Sequence, residues 1–334
     1  MKSSDIVNAI AFQFTANRMQ TFAIEGQPGV GKSAVVYQAA KQLGVPVIEF
    51  RPCNHGIEDL VGLPDFIERD GKRFSTFAKP DWLPLADRDG PEGIFFIDEF
   101  AQAAPAMQNS LSSLIHAPRK LHDYEVPKGW MVVTAFNSAK HRAATHKMPT
   151  HIADRLAPKV EMDFDLNDWV KWAEDAGINT SLIAFAKWRE NILTSFDPKL
   201  DINCTPRSLA MCDPYVDAPA EIQHELINGT IGEGNGAELL GFLRIWKNLP
   251  DMAYLLKHPD TTPVPDKPDV LFALTQALSY RCDINNADHL AKFVKRMPSE
   301  YQVTFFKETF KRTKEVSRSQ AFRDFLQANQ ALIV

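Results

Sequence analysis

Short apolar runs alternate with helix-period stretches through the first half of the chain, a pattern that predicts a parallel α/β sheet covered by helices. Runs at Thr21–Glu25, Val47–Phe50, Ile94–Ile97, Met131–Phe136 and Lys159–Phe164 predict strands. Between them, Lys32–Leu43 and Pro105–His116 predict helices, the second with Met107, Leu111, Leu114 and Ile115 at helical spacing. After Phe164 the texture turns helical. Trp169, Val170 and Trp172 sit in a short helix ending near Gly177, and Leu182–Ile192 form the next. Loops are expected at Asp213-Pro214, at Gly232–Gly236 and in the proline-rich stretch Pro259–Pro268, with more helix over Val270–Tyr280 and Leu290–Leu326. No internal repeat is visible.

Composition narrows the classes. The chain has 334 residues, 45% hydrophobic and 24% charged, about two domains' worth of ordinary globular sequence. Disorder over most of its length is excluded. A net charge of -5 argues against coating nucleic acid or an anionic membrane with the whole surface. No apolar run reaches membrane-span length, so no membrane insertion is expected, and Met1–Asp5 lacks a signal-peptide core. The four cysteines are scattered without a Cys-x-x-Cys pair, which fits reduced thiols in a cytoplasm rather than disulfides or zinc. His141, His146 and His151 recur every five residues, whereas a helical metal pair stands four apart; a solvated loop is expected. Near the C-terminus, Lys307, Lys311, Arg312, Lys314 and Arg318 are interleaved with Phe305, Phe306 and Phe310. That stretch is either a basic-aromatic nucleic-acid surface or an amphipathic helix with a phenylalanine core stripe. The second is expected.

The candidate chemistry begins at Gly26-Gln27-Pro28-Gly29-Val30-Gly31-Lys32-Ser33, a complete G-x-x-x-x-G-K-[ST] between a strand and a helix. Glycines let backbone N–H groups close around phosphate oxygens, and the helix N-terminus adds its positive end. Lys32 would neutralise the β- and γ-phosphates and Ser33 would ligate Mg2+. Ile94–Ile97 runs into Asp98 and Glu99, which strand alternation sends to opposite sides. Asp98 is expected to serve Mg2+ through water, and Glu99 to polarise the attacking water. A third strand ends at Asn137, in the ligand crevice of a parallel sheet, within reach of phosphate and water.

Taken in order, these motifs resemble the AAA+ ATPases, and among them the MoxR-like branch. The matching stretches are Glu25–Ser33, Asp59-Leu60-Val61-Gly62, Ile97-Asp98-Glu99, Phe136-Asn137, Ala153-Asp154-Arg155-Leu156 and Thr205-Pro206-Arg207. The resemblance covers roughly Thr21 to Leu209. It implies an AAA+ core over 1–164, with a five-stranded parallel sheet and two inserted hairpins. A helical lid over 165–250 and a helical extension over 251–334 would follow. It further implies ATP and Mg2+ as ligands and a homo-oligomeric ring, most often hexameric. The work would be remodelling of a protein client, commonly with a partner carrying a von Willebrand factor A domain. Arg155 would reach the neighbouring subunit's nucleotide and Arg207 the phosphates of its own. Read without the resemblance, Arg155 is a surface ion-pair residue and Arg207 a helix-start residue. The hairpins, at Phe66–Phe74 around Asp70-Gly71 and at Arg119–Gly129, would touch substrate or be plain surface turns.

The chain departs from the family where Ser138 follows Asn137 in place of Pro, where Thr150 and His151 follow Met148-Pro149 without a Glu, and where Phe77–Trp82 lacks Gly-Pro-Leu. Two rivals remain. One is a nucleic-acid motor or loader of a phage or mobile element, which the charge and the short N-terminal segment do not favour. The other is a GTP-using ring, which lacks support because Asn-Lys-x-Asp is absent.

Overall fold

A computed structural model describes residues 1–138 and 148–328. His141 and His146 lie outside the described residues, while His151 is exposed on the short helix Thr150–Ala153. The chain forms two compact units, Met1–Trp169 with Thr194–Arg207, and Val170–Leu193 with the residues from Ser208 onward.

The first unit is built on a five-stranded parallel sheet. Its strands are β1 (Phe22–Gly26), β2 (Val47–Phe50), β5 (Gly93–Ile97), β8 (Trp130–Asn137) and β9 (Lys159–Met162), in the order β2-β5-β8-β1-β9. β3 (Pro64–Arg69) and β4 (Lys72–Phe77) make one antiparallel hairpin, and β6 (Lys120–Leu121) and β7 (Tyr124–Glu125) a second, much shorter one. This is the expected α/β fold with its parallel five-stranded sheet, and the expected strands recur within a residue or two at each end. The last is shorter than expected, stopping at Met162 rather than Phe164.

Alternation along these strands divides the core into two. Phe95, Ile97, Val132 and Phe136 face the helix Pro105–Ile115 on one side. Ile94, Phe96, Met131, Val133 and Ala135 face the other, where Ile6, Ile10 and Phe14 of the helix Ser3–Ala16 pack beside Val35, Val36, Ala39 and Ala40 of the helix Lys32–Leu43. Parity then dictates which side each strand-end residue takes. Asp98 continues the series Ile94, Phe96, and Asn137 continues Met131, Val133, Ala135, so both arrive on the side of the Lys32 helix.

The second unit is helical. Gly232–Gly236 is not a loop: Gly232 alone turns, at φ +84°, and a helix runs from Glu233 to Lys247. Gly236 lets the preceding helix Ala220–Ile231 pass close by: a Cβ there would lie 3.1 Å from Asn228 Cα and would displace the Asn228 side chain. The expected helix Leu290–Leu326 is broken at Pro298 and again after Arg312, giving Ala287–Val294, Ser299–Arg312, a 3-10 turn over Lys314–Arg318 and Gln320–Ala328. The proline-rich stretch does form a loop up to Lys267, with Pro268 opening the next helix, and it is pinned by Arg296 Nη1 donating to the Pro259 and Thr262 carbonyls at 2.7 and 2.8 Å. Phe305 and Phe306 are core residues and Phe310 packs against the same cluster, while Lys307, Lys311, Lys314 and Arg318 are exposed. The basic-aromatic stretch is therefore a core stripe with a solvated cationic face.

Candidate functional site

The loop from Gly26 to Ser33 owes its shape to two glycines. Gly29 and Gly31 sit at φ +73° and +106°, which L side chains rarely adopt. Gly29 is also crowded: a Cβ there would lie 2.5 Å from Thr205 Oγ1. The Arg207 amide donates to the Gly29 carbonyl at 3.2 Å, so the Thr205-Pro206-Arg207 turn is laid directly against the loop. Gly31 caps the helix Lys32–Leu43, whose first-turn N–H groups face the loop's interior.

Lys32 is 8% exposed. Its ammonium donates to the Gly26 carbonyl at 3.0 Å, the Gln27 carbonyl at 2.9 Å and Asn137 Oδ1 at 2.9 Å. The β1–β8 register, which sets Gly26 beside Asn137, is what brings that side chain within reach. Burial pulls the Lys32 pKa down to about 8; the Asp98 carboxylate opposes the shift and the Arg207 charge adds to it. Ser33 Oγ donates to Asp98 Oδ2 at 2.7 Å. Burial raises the Asp98 pKa, while the bonds from Ser33 and from the Glu99 amide hold it down. Glu99 lies past the end of β5 in the left-handed region at φ +57°, so strand alternation does not carry through to it, and both acids line the same cleft instead of opposite sides. Glu99 Oε2 accepts from Cys53 Sγ at 2.7 Å, and the Cys53 thiol is pushed up to about 11, first by burial and then by that bond.

Lys32, Ser33, Asp98, Glu99 and Asn137 line one cleft of about 220 Å³, together with Pro28, Gly29, Gly31, Arg51, Gln102, Phe136 and Arg207. Gly26 and Gln27 contribute carbonyls to Lys32, and Val30 is buried in the core behind the loop. Arg155 stands apart. It is half-buried before β9 and donates from Nη1 to Ser112 Oγ at 3.4 Å, outside the cleft of its own chain. Arg51, Cys53 and Gln102 were not foreseen from the sequence, and Thr205 only as part of the Thr205-Pro206-Arg207 stretch, not as a residue packed on Gly29. A signal existed for Arg51 alone: a charged residue directly after a strand at the carboxyl edge of a parallel sheet.

The cleft suits a polyphosphate and a hard cation. Backbone amides, a buried ammonium and an exposed guanidinium converge on it, and the Ser33–Asp98 pair offers the oxygen donors that Mg2+ takes. Among the described residues no group of three or more His, Cys, Asp or Glu could hold a metal by itself. A cation here would draw its remaining ligands from phosphate and water.

No family model and no curated protein matches the chain. Among solved structures, NtrX from Brucella abortus in complex with ATP is 15% identical, with 99% of this chain and 68% of that chain covered at a TM-score of 0.39. A RuvB mutant from Thermotoga maritima is 16% identical over 83% of this chain and 82% of that one, at 0.41. An ATPase described as putative, from Cytophaga hutchinsonii, is 12% identical over 91% and 80%, at 0.36. Overlaps this loose fix no equivalence between residues.

Proposed function

We propose that the chain is a Mg2+-dependent ATPase of the AAA+ type, close in character to the MoxR-like branch. The observation that carries this reading is the bonding of Lys32 and Ser33 to the ends of two other strands, at Asn137 and Asp98. A generic strand-end turn has no use for a buried lysine there, whereas a phosphate site does. The loop amides and Lys32 would hold the phosphates, Ser33 and Asp98 the cation, and Asn137 a phosphate oxygen. Mg2+ would supply charge neutralisation at the phosphate oxygens. Glu99 would orient and deprotonate water after leaving Cys53, and Arg207, placed by its amide on Gly29, would contact the phosphates of its own subunit.

The larger reading follows the sequence resemblance. Subunits would close into a ring, most often hexameric in such families, with Arg155 serving the neighbour. The helical residues after 164 would divide into a lid and an extension, and the two hairpins would engage a protein client, often through a von Willebrand factor A domain partner. The test starts with nucleotide. Lys32→Ala should lose tight ATP binding in calorimetry, whereas Glu99→Gln should bind ATP and fail to turn it over. Wild-type affinity in Lys32→Ala would sink the assignment.

A further inference from the structure

We propose that Arg51 is a recognition residue for the terminal phosphate, supplied by the same subunit at the end of the cleft opposite Lys32. The inference rests on the phosphate-loop reading and deepens it. Arg51 directly follows β2, so it stands at the carboxyl edge of the parallel sheet, beside the Asp98 and Glu99 end of β5. It lines the cleft with Lys32, Asp98, Glu99 and Arg207. Across the sheet edge the charges alternate: the Lys32 ammonium over β1, the two carboxylates after β5, then the Arg51 guanidinium after β2.

The guanidinium is held from one edge only. Nε donates to Glu49 Oε1 at 2.6 Å, and the other oxygen of Glu49 accepts from the Tyr37 hydroxyl. Glu49 thus orients the fork, and among the described residues the side-chain hydrogen bonds of Arg51 end there. Both terminal nitrogens are left to a ligand, on a side chain 49% exposed. Its bond to Glu49, with Asp98 and Glu99 nearby, keeps it charged. A planar fork with two open N–H pairs matches phosphate oxygens, and a purely structural ion pair would have no reason to present it to the cleft. The loop amides take the phosphates nearest β1, so the group extending furthest toward β2 is the terminal one. A diphosphate stops short of Arg51, and a triphosphate reaches it.

The prediction is discrimination between nucleotides. Calorimetry on the full chain with Mg2+ would compare ADP with a slowly hydrolysed ATP analogue, in wild type, Arg51→Ala, Arg51→Lys and Lys32→Ala. Arg51→Ala should weaken the triphosphate about tenfold and leave ADP within about twofold, the loss of one charge-assisted fork. Arg51→Lys should recover only part, because an ammonium is a point charge. Lys32→Ala should lose both nucleotides. Equal losses for the two nucleotides in Arg51→Ala, or no loss for either, overturns the role of Arg51 and leaves the phosphate-loop reading standing. A wild type that binds neither nucleotide removes both. If Arg51→Ala fails to fold by circular dichroism, the selective loss must appear in Arg51→Lys, and its absence there overturns the proposal equally.

Discussion

Lys32 carries its charge against its own burial. Its folded pKa is about 8, below the 10.5 of an unperturbed lysine. Between those values the unfolded chain holds the proton and the folded one does not, so stability should rise with pH through that window. Below about 8 both states are protonated and the desolvation cost is constant. A bound polyphosphate reverses the balance by favouring the ammonium. Nucleotide binding at pH 8.5 should therefore take up roughly three-quarters of a proton, and only about a tenth at pH 7. Binding enthalpies measured in buffers of different ionisation heat report the uptake directly; a buffer-independent enthalpy at pH 8.5 would contradict the burial of Lys32. Residues at this scale were legible where chemistry is encoded in local spacing. Gly26 through Ser33 declare themselves within eight positions, and Asp98 and Asn137 by ending apolar runs. Arg51 and Cys53 did not, nor did the packing of Thr205 on Gly29, because these come from which strand lies beside which and from a turn laid on the loop.

At the scale of elements, alternation was the dependable signal. It set Ile94 and Phe96 against Phe95 and Ile97, and the same parity carried Asp98 and Asn137 to the Lys32 side. The hairpin at Asp70-Gly71 was equally readable, since both residues have positive φ, at 51° and 71°. What escaped was packing that overrides local preference. Gly234 and Gly236 look like loop residues in isolation, yet both lie inside a helix, where the close approach of Asn228 favours a glycine at position 236. The hairpins also touch each other, through Phe77 stacked on His122 at 4.5 Å and Lys79 paired with Asp123 at 3.3 Å, a contact no spacing announces. These differences in burial predict contrasting costs. Phe96 is fully buried on the Lys32 side of the sheet, so Phe96→Ala should destabilise by about 3–5 kcal/mol in urea unfolding. Phe66 is 57% exposed on the hairpin, with Arg73 over its ring, so Phe66→Ala should cost less than about 1 kcal/mol. Equal losses would mean that the hairpin is buried by something beyond this chain.

At the scale of the whole molecule, the proposed ring turns on Arg155. The cleft already contains Lys32, Arg51 and Arg207 from its own chain, and Arg155 lies outside it, donating to Ser112 Oγ before the edge strand β9. That position leaves two readings, a local tether on the Pro105–Ile115 helix or a cation offered to a second subunit. A tether acts within one chain, whereas a head-to-tail ring sets each subunit's edge against the next subunit's loop. Mixing two inactive variants separates them. Arg155→Ala subunits keep an intact Lys32 and should bind ATP but turn it over poorly. Lys32→Ala subunits keep an intact Arg155 and should not bind. In mixed rings, an Arg155 from the second kind faces a phosphate loop of the first, so turnover should rise with mixing and peak at an intermediate ratio. An arginine supplied across an interface is worth roughly 10³ to 10⁵ in rate, so even a minority of productive interfaces should stand well above either parent. Turnover no higher than the parents at every ratio, with an affinity tag on one variant alone pulling down the other to show that they share rings, would assign Arg155 to its own chain.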